Sequence, residues 1–212
     1  MNTDELLTQA SAALSLSLDD RQCSLFGAYQ RALLSINESL NLTATTDDTE
    51  FTVRHIIDSI AAHRYFTASR AILDVGSGGG LPGIPLAILF PQARVTLCES
   101  KAKKANALSS MVRELSLSNV HVAHSNVFEL RDRFDTITAR AFGELSKLAD
   151  ILHRVGTAKA RAVCYKGKRE TIDGEMAKMN GSLYTAVVDA VTVPFLAEER
   201  HIVVLTKRHQ GH

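Results

Sequence analysis

The 212-residue sequence has no tryptophan, four prolines and three cysteines, and no apolar run approaches the roughly 18 to 20 residues needed to cross a bilayer as a helix. A helical membrane span is therefore not expected. Cys23, Cys98 and Cys164 are odd in number and widely separated, which argues against a disulfide framework. They form neither a C-x-x-C pair nor a zinc pattern with histidine, so they read as plain buried or free thiols. His121 and His124 are not alternate residues of one strand face, and no metal site is expected. The opening residues, Met1 to Glu5, are acidic where a secretory signal would be basic, and the expected compartment is the cytoplasm.

With 45% apolar and 22% charged residues the composition is that of an ordinary globular chain. The length is long for one domain and short for two, so a single α/β unit with an added element is expected. Net charge is only +1, but it is unevenly spread. Up to Arg70 there are nine acidic and five basic residues, and beyond it fourteen and nineteen. The second part is the better candidate for meeting an anionic partner such as RNA.

Residues 4–40 carry apolar positions at helical spacing (Leu25, Tyr29, Leu33, Ile36, Leu40), with Asp19 and Asp20 placed as an N-cap and first turn. Asn41 is suited to ending this helix. A polar loop over 41–50 precedes a second helical stretch, FTVRHIIDSIAAHRYF, that runs to a break at 68–70. From Ala71 the rhythm becomes short β-type runs at about 71–75, 94–99, 120–124, 135–140, 160–166, 183–193 and 201–207. Helical patterns lie between them at about 83–90, 101–116, 143–155 and 169–179. The alternation predicts right-handed βαβ units in a doubly wound, mostly parallel seven-stranded sheet. No helical pattern separates the last two strands, which predicts a closing hairpin with one antiparallel strand. The predicted division is a helical extension over 1–68, packed on a Rossmann-like core over 69–212.

The stretch LDVGSGGGLPG at 73–83 follows the first core strand and opens a helix, the place where a nucleotide-like ligand binds in such sheets. It fits a dinucleotide fingerprint, Gly78-x-Gly80-x-x-Gly83, and also an Asp-led motif, Asp74-x-Gly76-x-Gly78. Asp74 separates the two: a carboxylate two residues before the first glycine repels a pyrophosphate but suits the ammonium of S-adenosylmethionine. Glu99, at the end of the second strand, suits ribose hydroxyls in either ligand. The residue pattern thus favours S-adenosylmethionine over a nicotinamide cofactor in an oxidoreductase. A non-catalytic RNA-binding protein is the other alternative, disfavoured by the intact loop.

Six segments, NLTA at 41–44, RHIIDSI at 54–60, LDVGSGGGLPGIPLAI at 73–88, ARAF at 139–142, YKG at 165–167 and ERHIVVLTK at 199–207, together resemble the RsmG family, also called glucose-inhibited division protein B. The resemblance extends over about residues 20–208. It implies a class I S-adenosylmethionine-dependent methyltransferase fold and methylation of N7 of one guanine in bacterial 16S ribosomal RNA. The implied partner is the 30S subunit or an assembly intermediate. By the same resemblance Gly76, Leu81, Val127, Phe128 and Arg140 match cofactor-binding positions. Where the family commonly has an acidic residue this chain has Phe128, which leaves a backbone contact but no side-chain hydrogen bond.

Guanine N7 also fits what the sequence omits. There is no Asn-Pro-Pro-Tyr or Asp-Pro-Pro-Tyr motif for exocyclic amines and no Pro-Cys nucleophile for pyrimidine C5; the fourth strand ends in TARAF. The N7 lone pair is already nucleophilic and bears no proton, so placement matters more than a general base. Arg140 and Lys166, at the ends of the fourth and fifth strands, are the candidate catalytic cations. Candidate cofactor residues are Asp74, Gly76, Gly78, Leu81, Glu99, Val127, Phe128 and Arg140. Candidate RNA contacts are Lys101, Lys104, Lys168, Arg169 and Arg200. Asn41 and His55 lie in the extension expected to cover the cofactor, and Arg54, His55 and Asp58 can form a local network at helical spacing. A monomer is expected.

Overall fold

The computed structural model describes residues 1–208. The predicted first helix is two. α1 (Thr3–Ala13) is capped by Asn2, and α2 (Asp20–Leu40) by Asp19, whose side chain accepts from the Gln22 N–H in a reciprocal capping box. A turn with Ser15 at φ 55° separates them. α2 ends at Asn41 in the left-handed conformation. Asp47 caps a second start, so α3 (Asp48–Phe51) begins inside the predicted loop and runs through a π-helical segment (Thr52–Ile57) into α4 (Asp58–Ile60).

The core alternates β1 (Ala71–Val75), α5 (Gly83–Leu89), β2 (Arg94–Glu99), α6 (Ala102–Glu114), β3 (Val120–His124), β4 (Phe134–Arg140), α7 (Leu145–Val155), β5 (Gly156–Lys166), α8 (Arg169–Met176), β6 (Tyr184–Ala190) and β7 (His201–Lys207). The seven strands form one sheet in the order β3-β2-β1-β4-β5-β7-β6. β7 is antiparallel to both β5 and β6 and the other pairings are parallel, as the helix-free hairpin predicts.

One face of the sheet and the extension share a single apolar core. Phe26, Tyr29, Leu33, Phe51, Ile56 and Ile60 of the extension pack with Ile72, Ile84, Leu97 and Leu108. The other face is covered by α7 and α8, with Leu148, Leu152 and Ile172 against Ile137, Cys164 and Val203. The register sets the rim: Arg140 is beside Tyr165, and Lys166 is beside His201, immediately after Arg200. The strand order reverses between β1 and β4, so the glycine loop and the end of β4 border the same crevice.

Candidate functional site

Two buried carboxylates hold the glycine loop from below. Asp74 Oδ2 accepts from the Gly83 N–H at 3.1 Å, fixing the start of α5. Glu99 accepts from the N–H groups of Gly78 (3.1 Å) and Lys101 (2.9 Å). Gly83 has no room for a side chain, because a Cβ there would meet Leu97 and lie 2.7 Å from Asp74 Oδ2. From above, the Tyr29 hydroxyl donates to the Gly79 carbonyl at 2.9 Å, and Leu33 rests on Gly79. The extension is therefore part of the loop's support.

A cavity of about 160 Å³ opens over this loop. Val75 and Gly76 form one wall and Cys98 and Ser100 another. Ser125, Asn126, Val127 and Phe128 close a third side, and Phe142 with Lys147 closes the top. Gly76 has φ +68°, and a Cβ there would stand 2.5 Å from the Phe142 ring, so only glycine allows that ring to lie on the loop. Lys147 Nζ sits 4.6 Å from the same ring's centroid. Asn126 Oδ1 takes the Phe128 N–H at 3.1 Å, which leaves the family-implied backbone contact of Phe128 with a competing partner.

A second cavity, of about 390 Å³, lies between the extension and the ends of β4 and β5. Arg54, His55 and Asp58 line it from the extension, Arg140 and Ala141 from β4 and its end, Tyr165 to Gly167 from β5, and Arg200 from the approach to β7. Asp58 is 4% exposed and accepts from Arg200 Nε (3.0 Å) and Arg140 Nη1 (3.2 Å). Arg140 also donates to the Arg54 carbonyl (3.0 Å) and reaches His55 Nδ1 (3.1 Å). His55 Nδ1 lies between Arg140 Nη2 and the Arg54 carbonyl, 3.0 Å from the latter, and Nε2 is 2.6 Å from Thr43 Oγ1. Burial and the neighbouring Arg140 push the His55 pKa down to about 4, consistent with a neutral ring. The NLTA and RHIIDSI segments thus meet at Arg140.

Several expected roles take a different form. Asp74 is wholly buried and its pKa is raised to about 7 by burial; it lines neither cavity, while Oδ1 has no hydrogen-bond partner among the described residues. Its Oδ2 supports the loop through Gly83, and Oδ1 still wants a donor. Leu81 also lines neither cavity and joins the apolar core under α2. Arg140 does not line the loop cavity, so its contact in this structure is with the second one. Lys166 is tied to Glu175 at 2.7 Å and to the Gly143 carbonyl, hence already neutralised. Gly76, Val127 and Phe128 do line the loop cavity, and Gly78 and Glu99 bond to each other beneath it.

Of the expected RNA contacts, only Arg200 lines the second cavity. Lys168 is exposed beside Gly167 at its edge, Arg169 pairs with Asp173 at 2.8 Å, and Lys101 and Lys104 line neither cavity. Residues without a site role in the sequence reading include Asn126 and Lys147 at the first cavity, and also Phe142 and Tyr165, seen in it only as parts of family segments; the Tyr165 hydroxyl donates to the Ser59 carbonyl at 2.6 Å. Burial raises the Cys98 and Cys164 thiols to about 11 and about 12, so neither is a ready nucleophile. Among the described residues no group of histidine, cysteine or carboxylate side chains is arranged to hold a metal ion, and no helix is long and apolar enough to cross a membrane.

Comparison with known proteins agrees with this geometry. The chain is 34% identical over 206 residues to Ribosomal RNA small subunit methyltransferase G of Brachyspira hyodysenteriae, covering 97% of this chain and 100% of that one. It is 38% identical over 209 residues to the protein of that name in Pseudomonas aeruginosa, covering 97% and 96%. Among solved structures, a SAM-dependent methyltransferase from Aquifex aeolicus superposes with a TM-score of 0.57 at 16% identity, covering 76% of this chain and 94% of that one. A ribosomal protein L11 methylase from Lactobacillus delbrueckii subsp. bulgaricus gives 0.55 at 15% identity, covering 72% and 77%. These two likenesses establish the class I methyltransferase fold. The GidB model, described as rRNA small subunit methyltransferase G, matches residues 22–203, and the chain belongs to that family.

Proposed function

We propose that the protein transfers the methyl group of S-adenosylmethionine to N7 of a guanine in 16S ribosomal RNA, as a cytoplasmic monomer acting on the small subunit or an assembly intermediate. The observation that carries this reading is the meeting of the two cavities at the end of β4: Phe142 lines the glycine-loop cavity and its neighbour Ala141 the cationic one. A methyl donor on one side and a nucleotide on the other would meet there. Family membership supplies the class of RNA, and guanine N7, a nucleophile with no proton to lose, needs no general base there.

The residues fit the cofactor. Asp74 Oδ1 is buried without a donor, and Gly76 gives close access to the loop backbone. Glu99 has two N–H groups bound and, as a carboxylate with about four lone-pair sites, retains capacity for ribose hydroxyls. When bound, S-adenosylmethionine supplies a methyl group activated on a sulfonium. Val127 and Phe128 form an apolar wall suited to an adenine ring, with Asn126 holding their turn. Arg200 faces the incoming nucleotide, where a cation suits O6 and the phosphates while leaving the N7 lone pair free; Lys166, held by Glu175, lines the same cavity. Tight placement of N7 is worth on the order of 7 to 11 kcal/mol in favourable cases.

Labelled methyl donor incubated with purified 30S subunits and, separately, with deproteinised 16S RNA tests the reading. Label in the RNA of either sample supports it. Label in neither, together with calorimetric binding of NADH in preference to S-adenosylmethionine, would overturn it in favour of the dinucleotide alternative.

A further inference from the structure

The second cavity contains two guanidiniums that share one carboxylate, and the three groups come from three distant parts of the chain. Asp58 begins α4 in the extension, Arg140 ends β4, and Arg200 precedes β7. Arg140 Nη1 goes to Asp58 and the Arg54 carbonyl, and Nη2 faces His55 Nδ1 at 3.1 Å. Arg200 is used differently: Nε goes to Asp58 and Nη1 to the Glu199 carbonyl, while Nη2 makes no hydrogen bond among the described residues. Arg200 is 24% exposed on a cavity wall, against 18% for Arg140. Arg200 Nη2 is therefore a terminal donor left free, on a side chain whose orientation is fixed through its Nε by Asp58.

We infer that Asp58 is a positioning residue for methyl transfer: it turns the free edge of Arg200 toward the acceptor face of the target guanine and offsets the charge of the paired arginines. The inference rests on the proposed function. Two like-charged guanidiniums held by one half-buried site repel each other unless a carboxylate lies between them. A swing of Arg200 toward the nearest phosphate would still hold RNA, but would leave the base unplaced. The charge also matters to the reaction. As the N7–CH3 bond forms and the S–CH3 bond breaks, positive charge passes from sulfur to the purine and no proton moves. A purine becoming cationic beside two uncompensated guanidiniums would be destabilised. With Asp58 in place the cluster carries one net positive charge instead of two.

The test uses full-length protein and 30S subunits, with Asp58→Asn, Asp58→Glu, Arg200→Gln and the Asp58→Asn/Arg200→Gln pair. Three quantities are read: S-adenosylmethionine affinity, 30S affinity across a salt series, and single-turnover methyl transfer at saturating 30S. Asp58→Asn is expected to bind S-adenosylmethionine within about 2-fold of the parent, to bind 30S at least as tightly, and to lose on the order of 10- to 100-fold in the saturating rate. Asp58→Glu, which keeps the charge, is expected to be faster than Asp58→Asn. Because Asp58 acts through Arg200, the double variant is expected to be no slower than Arg200→Gln alone. Multiplying losses in the double variant, an unchanged saturating rate in Asp58→Asn, or its loss of rate only through weakened S-adenosylmethionine binding would each overturn the inference. If Asp58→Asn fails to fold, the comparison of Asp58→Glu with the parent and with Arg200→Gln decides in the same way: a rate above that of Arg200→Gln supports the inference and one below it overturns it. Failure of the proposed function shows separately, as absence of label from RNA in the unmodified protein.

Discussion

Replacing Asp74 by Asn should stabilise the ligand-free protein in alkaline solution and do nothing of the kind in acid. The carboxyl is wholly buried, and burial raises it from 3.8 to about 7. Below pH 4 both the folded and unfolded chains carry the proton. Between pH 4 and 7 the unfolded chain releases it while the folded chain keeps it, so this group makes stability fall as pH rises. Above pH 7 the full difference is present. Three pH units at 1.36 kcal/mol each give a cost of about 4 kcal/mol, an order-of-magnitude figure. Asparagine retains an acceptor for the Gly83 N–H and does not titrate. Its own fit is a constant offset, so the pH-dependent gain over the parent should grow from pH 4 to 8 by about 4 kcal/mol, with a slope no steeper than about 1.4 kcal/mol per pH unit. His55 works in the opposite direction: with its pKa lowered to about 4, it makes stability fall as pH drops from about 6.5 to 4. The parent's own pH profile mixes the two, and the difference between variant and parent isolates Asp74. Urea unfolding at half-unit pH intervals measures it. A difference that is flat from pH 4 to 8, or that shrinks, would refute the assignment of a buried, high-pKa carboxyl beneath the loop.

Gly76→Ala places a Cβ against the Phe142 ring in a left-handed backbone, with a strain of roughly 1–3 kcal/mol, and should abolish measurable S-adenosylmethionine binding by calorimetry; adding Phe142→Ala should restore stability more than affinity. Tyr29→Phe leaves the buried Gly79 carbonyl without its donor and should cost about 1–3 kcal/mol in urea unfolding, with a weaker cofactor affinity as the loop loosens. Glu175→Gln removes the charge that holds Lys166, so RNA binding should tighten and the slope of log affinity against log salt should steepen by about 1, seen in filter binding at several salt concentrations.

The sheet was legible because its strands and helices differ in period, and Asp74, Gly76 and Glu99 could be placed at strand ends from spacing alone. Asp19 was legible as an N-cap, and it does start α2 through its capping box with Gln22, but apolar residues continuing across the break kept 4–40 as one helical pattern. That Asp74 also holds the loop through the Gly83 N–H depends on α5 packing over it, which no local pattern records. Asp58 was visible only as a member of a local Arg54-His55-Asp58 grouping. Its partners lie 82 and 142 residues away, and their meeting depends on the order β4-β5-β7 and on the extension folding back across that rim. Phe142 was noticed as part of a family segment, but its position over Gly76 follows from the turn after β4, where Ala141 and Gly143 both take positive φ.

The central claim is that one guanine N7 in 16S RNA receives the methyl group. The direct measurement is single-turnover reaction of the purified protein with S-adenosylmethionine and 30S subunits lacking the modification, followed by strand scission chemistry specific for N7-methylguanine and primer extension along the whole 16S RNA. The account predicts one new stop, at a guanine, whose intensity follows the incorporated label and disappears when the methyl donor is omitted. Label incorporated without any N7-dependent scission, or recovered on a pyrimidine, an exocyclic amine or a ribosomal protein, would contradict it.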